Sequence, residues 1–169
     1  MDGLRGARAV LDEVAAAGFR YVSSQAWGPD WSLPALLEHP FPYADDGHAD
    51  LWELPCSGWH ENVLKGHTWA GKVTRLIAFP APYPEAVPLR PIVTPEEEFA
   101  VNKVFIDRAV QDGYMHVSLI WHPWSLARFD AAMKMLELTF SYARERGLRF
   151  GTYAELWRKV AASMQPVAP

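Results

Sequence analysis

Hydrophobic and polar positions change period several times along this chain, and each change predicts an element. Between Ala7 and Ala17 the apolar residues Val10, Leu11 and Val14 share one helical stripe, and Gly18 stands just past the end where a C′ glycine belongs. Phe19 to Ser24 is short and β-rich, and Leu51-Trp52-Glu53-Leu54 alternates as a second short strand before Pro55. Gly28 to Gly47 and Cys56 to Pro91 hold no sustained period, apart from a possible strand at Val73 to Phe79. Ordered loops of that length usually carry binding or catalytic surface.

The last third is more regular. Thr94-Pro95-Glu96-Glu97 offers a Thr N-cap, Pro at N1 and Glu at N3, opening a helix that carries Phe99, Val104, Ile106 and Val110 to a stop near Gly113. Val117 to Trp121 reads as a strand buried on both faces, ended by Pro123 and leaving His122 at its C-terminal lip. A long helix is predicted over Ser125 to Arg146, then a short strand at Leu148 to Gly151. A second capping box at Thr152 and Glu155 begins a final helix with Leu156, Trp157 and Val160. Residues 94–164 thus read α-β-α-β-α, which implies parallel strands joined by right-handed crossovers.

Composition narrows the function. The 169 residues suit one domain, 1–169, and half of them are hydrophobic, enough for a core without staples. A net charge of −4 gives no basic field, which argues against a nucleic-acid partner. No apolar run reaches the ~20 residues that span a bilayer, and the first residues lack a signal-peptide pattern; the expectation is a cytoplasmic protein with no membrane partner. The single cysteine, Cys56, has no intrachain partner and reads as a small packed residue.

Eight Trp, eight Phe and six Tyr are an excess that core packing explains in part. Trp27, Trp31, Trp52, Trp59, Trp121 and Trp124 fall near loops or strand ends, where they can instead wall a cleft. Histidines stand at 39, 48, 60, 67, 116 and 122, and no pair has the i, i+4 spacing of a helical metal site. Asp45-Asp46-Gly47-His48 is rich in ligand-type groups, though a turn accounts for it. Serine-hydrolase, phosphate-loop and dinucleotide signatures do not occur. His122, between Trp121 and Pro123-Trp124, has two readings: a proton donor or acceptor in a walled cleft, or a histidine bonded to a loop carbonyl. His60, in Gly58-Trp59-His60-Glu61-Asn62, is a second candidate beside a plain loop-surface reading. Arg5 and Arg8 read most simply as solvated charges.

Taken in order, several phrases resemble the polysaccharide deacetylase family, the NodB-homology or carbohydrate esterase family 4 group. They are Ala17 to Ser24, Tyr43 to Gly47 with Leu51 to Pro55, Gly58 to Asn62, the Leu-x-x-His-Pro phrase Leu119 to Trp124, and Leu148 to Trp157. The resemblance implies an α/β fold, the C-terminal part of an irregular (β/α)7 NodB-like barrel with parallel strands alternating with helices. It implies hydrolysis of a non-peptide carbon–nitrogen bond, removing acetyl from an N-acetylated carbohydrate with a divalent, zinc-like metal. His122 would be the general acid, Arg5 the arginine that orients the catalytic aspartate, and Trp121, Trp124, Trp59 and His60 the sugar contacts. The family's Thr-Phe-Asp-Asp phrase and its helical His pair precede Arg5 in the family and are not in this sequence. The expectation is therefore a truncated form with no metal ligands of its own, in need of a separate N-terminal piece or prone to self-association. The rival expectation is a catalytically inactive carbohydrate-binding or scaffold protein of the same fold.

Overall fold

Helix α1 (Arg8–Ala16) buries Leu11 and ends as its sequence requires. Gly18 takes φ +83°, its N–H donates to the Ala15 carbonyl and that of Phe19 to Val14, a Schellman closure. This computed structural model describes residues 3–27, 33–68, 71–72 and 83–163. Trp31 and the possible strand at 73–79 lie outside the described residues.

The chain then builds a three-stranded sheet around β3. Strand β1 (Tyr21–Val22) pairs parallel with β3 (His48–Glu53), and β2 (Phe41–Tyr43) pairs with it antiparallel, with an irregularity between Pro42 and Tyr43. The Asp45–His48 phrase forms a 3₁₀ turn (Ala44–Asp46) closed by Gly47 at φ +92°, and His48 bonds Asp12 at 2.8 Å, so the turn reading holds. At the end of β3, Glu53 is fully buried yet satisfied: its carboxylate accepts from Ser24 N (2.7 Å), Ser24 Oγ (2.7 Å), Gln25 N (2.9 Å) and the Tyr43 hydroxyl (2.5 Å). Burial, with the Glu53 charge beside it, pushes the Tyr43 hydroxyl up to about 12, which keeps it a donor.

Beyond β3 the order loosens. Helix α2 (Glu61–Leu64) is a single turn, followed by a two-residue pairing of β4 (His67–Thr68) with β5 (Gly71–Lys72). Helix α3 (Pro95–Gln111) opens with the full Thr94–Glu97 capping box. It drives Val101, Phe105 and Ala109 into a core with Leu33, Leu37, Trp59, Leu64, Ala86 and Ile92. Six α-helices and this small mixed sheet make a mixed α/β architecture among the described residues. No helix there is long and apolar enough to cross a membrane.

Three predicted elements differ. Val117 to Trp121 is half-buried, and only the parallel bridge Ser57↔Leu119, with Ser57 N donating to Ser118 O at 2.7 Å, marks it as strand-like. Its composition suits a strand, but ladder pairing needs a neighbour, which among the described residues only Ser57 supplies. The predicted helix 125–146 is two: α4 (Pro123–Phe129) and α5 (Lys134–Glu145). Between them the buried Asp130 carboxylate accepts from the backbone N–H groups of Lys134 (3.0 Å) and Met135 (2.8 Å), while Met133 turns to φ +56°. A side chain that caps a new helix competes with continuation of the old one. Leu148 to Gly151 forms no strand, although Gly147 stops α5 as expected and the Thr152–Glu155 box starts α6 (Tyr153–Ser163). The predicted run of parallel strands in residues 94–164 therefore does not form within the described residues.

Candidate functional site

Two short helices place the site, because each begins on a histidine. His60 is the N-cap of α2, its Nδ1 accepting from Asn62 N at 3.4 Å, and His122 is the N-cap of α4. Pro123 thus acts as the N1 residue of a helix rather than as the stop of a strand. Glu61, the first residue of α2, is only 2% exposed and points its carboxylate at His122. Oε1 accepts from His122 Nδ1 at 2.5 Å and from the His122 backbone N–H at 3.2 Å.

That contact fixes the chemistry of the ring. With Nδ1–H given to a buried carboxylate, the other nitrogen, Nε2, is left for a reactant, and the side chain is 42% exposed. The second oxygen, Glu61 Oε2, is buried with no hydrogen-bond donor, and His60 Nδ1 lies 3.8 Å from it. The two imidazoles stand 5.4 Å apart between centroids, flanked by Trp27 (6.4 Å from His60) and Trp124 (6.1 Å from His122).

Underneath lies a second buried layer. One turn along the chain from Glu61, Lys65 pairs with Glu98 at 2.7 Å, both nearly inaccessible. Burial raises the Glu98 carboxyl above its ordinary range; Lys65 opposes this, and the charges of Glu61 and Asp130 add to it. Lys65 thus faces Glu98 where, among the described residues, the charges of Glu61 and Asp130 also act on that carboxyl.

The other predicted site residues divide. His60, His122 and Trp124 come together, Trp124 being half-exposed. Trp59 is buried in the core and donates its indole N–H to the Ala86 carbonyl, so it packs rather than faces a ligand. Trp121 lies edge-on to Phe140 and lines a cavity of about 210 Å³ with Ile106 and Thr139. Arg5 is exposed, with its guanidinium 3.8 Å above the Phe41 ring, and Arg8 reaches the Asp45 carbonyl. Trp52 is buried in the sheet.

The residue that sequence reasoning missed is Glu61. It stands in the quoted Gly58–Asn62 phrase, but its partner is 61 positions away, and no local spacing signals that. A separate knot joins Tyr153 to Ser118 (2.5 Å), Ser23 (3.0 Å) and Cys56 (3.3 Å) at the edge of a cavity of about 630 Å³. Burial raises the Tyr153 hydroxyl, so it stays protonated, and Cys56 is a buried packing residue within the knot.

No family model, curated protein or solved structure matches the chain.

Proposed function

We propose that this chain forms the C-terminal part of a NodB-like barrel and serves an N-acetyl sugar deacetylase, with His122 as the proton donor. The observation that carries the reading is the Glu61–His122 pair: a buried carboxylate holding Nδ1 while Nε2 faces outward beside Trp124. In amide hydrolysis the leaving amine must be protonated. In this reading His122 Nε2 gives that proton, and Glu61 fixes the ring's tautomer and steadies the imidazolium that precedes transfer. Trp124, half-exposed beside His122, supplies an apolar face on which a sugar ring can rest.

A divalent ion in such a family lowers the pKa of its water from ~15.7 to about 7. The phrases that hold that ion in the family are not in this sequence, so the steps assigned to this chain are those of His122 and Glu61. Arg5, held against Phe41, has no part in them.

Complementation tests the reading. The chain is mixed with a segment bearing the Thr-Phe-Asp-Asp and His-x-x-x-His phrases, and acetate release from N-acetylated oligosaccharides is measured. His122→Ala is expected to lower kcat by about 10²–10⁴-fold with KM little changed. Turnover that His122→Ala leaves unchanged overturns the role of His122. Sugar binding with no acetate release from the unmutated chain overturns the hydrolase reading in favour of a binding protein.

A further inference from the structure

The donors gathered at α2 and α4 can do more than move a proton. We propose that His60, Glu61 and His122 form a binding site for one first-row divalent cation of the zinc and cobalt class.

Three observations carry it. Each of the three residues offers a ligand atom, and these atoms lie within 4.8 Å of one another. Glu61 Oε2 is buried and receives no hydrogen bond from the described residues, a state that folded proteins seldom leave without an ordered water, an ion or a functional role to account for it. His60 Nδ1 is only weakly engaged, since its contact with Asn62 N, at 3.4 Å, exceeds the usual N–H···acceptor range.

The dimensions suit such an ion. Zinc–nitrogen and zinc–carboxylate bonds of about 2.0–2.1 Å in a tetrahedron set donor–donor edges near ~3.4 Å. With Oε2 as the carboxylate donor, His60 Nδ1 at 3.8 Å closes by only a few tenths of an ångström, and His122 Nδ1 gives up its 2.5 Å hydrogen bond to Oε1 for the ion. Two imidazoles and one carboxylate favour zinc, cobalt, nickel or copper over magnesium and calcium, which take all-oxygen sets. Three protein ligands leave the fourth position to water or a ligand.

Binding is balanced without a co-reactant. The hydrogen on His122 Nδ1 moves to Nε2 as the metal takes Nδ1, so the imidazole stays neutral. A cation here and proton donation by His122 are therefore mutually exclusive, and zinc at this site blocks the proton transfer proposed above.

Cobalt(II) absorption and zinc calorimetry on the chain test the site without any activity readout. The expected result is one ion per chain, an intense tetrahedral-type cobalt spectrum, and no response to magnesium. His60→Asn, which keeps an N-capping side chain, and Glu61→Gln should each weaken affinity at least tenfold while circular dichroism shows an unchanged fold. No cobalt band and no zinc heat at millimolar metal overturn the proposal. So does undiminished binding by folded His60→Asn, or a weak octahedral-type spectrum that marks surface association. Should Glu61→Gln fail to fold, His122→Asn takes its place with the same expected loss. Metal binding by the chain alone, together with no acetate release from the complemented chain at metal concentrations that leave this site empty, defeats the hydrolytic reading alone, and acetate release with no metal binding by these residues defeats this one alone.

Discussion

Replacing Lys65 by Met removes the one ammonium that, among the described residues, pairs with the buried Glu98, 2.7 Å away, on which the charges of Glu61 and Asp130 also act. Breaking a buried ion pair from one side leaves the remaining charge uncompensated and costs about 3–5 kcal/mol. For a domain of this length each kcal/mol moves Tm by roughly 2–4 °C, so Lys65→Met should lower Tm by roughly 6–20 °C at neutral pH. Removing both charges tells a different story. Lys65→Met with Glu98→Leu has no stranded carboxylate and should recover to within about 1 kcal/mol of the parent, or exceed it. The pH dependence has a defined sign. Glu98 keeps its proton in the fold at pH values where the unfolded chain has lost it, so its contribution is present below the unfolded value of about 4.3 and is lost as pH rises through the higher folded value. The deficit of Lys65→Met should therefore shrink in acid and be largest near neutrality. Thermal and urea unfolding followed by circular dichroism measure both effects. A single variant within 2 °C (roughly) of the parent, or a double variant as unstable as the single, refutes the claim that Lys65 exists to compensate Glu98.

Two further expectations follow from other sites. His116 Nε2 donates to the Pro55 carbonyl at 2.9 Å, and burial holds its titration below the ordinary histidine value; its stabilising contribution is present above the unfolded value and lost as pH falls. An NMR titration of the His116 ring with a midpoint at or above the ordinary value would contradict this. Gly58 takes φ +96° and exchanges two hydrogen bonds with Ala35, and an added Cβ would sit 3.1 Å from Leu119 Cδ2. Gly58→Ala should cost about 1–3 kcal/mol, and a urea midpoint equal to the parent's would show that the backbone there is free to relax.

Features whose cause lies within a few residues were legible in advance. The capping boxes at Thr94 and Thr152 form as written because donor and acceptor are three residues apart. The ends of α1 and α5 follow from Gly18 and Gly147, whose positive φ suits the turn that closes a helix. Misread segments share a different cause. Val117 to Trp121 has the composition of an inner strand, yet a strand exists only where a neighbour supplies a ladder, and among the described residues that neighbour is Ser57 alone. Asp130-Ala131-Ala132-Met133 is compatible with a helix, and burial of Asp130 as a cap turned it into a break.

The same division runs through the site. His60, His122 and Trp124 could be singled out by residue type and neighbours, whereas Trp59, equally aromatic, became core because α3 packed over it. Sequence alone determined the ends of α1 and α5 and the starts of α3 and α6, and supplied the imidazoles, since capping and side-chain chemistry are local properties. Only the tertiary structure brought Glu61 to His122 across 61 positions, because that contact depends on how two one- and two-turn helices dock on a shared core, and no short-range periodicity encodes the docking.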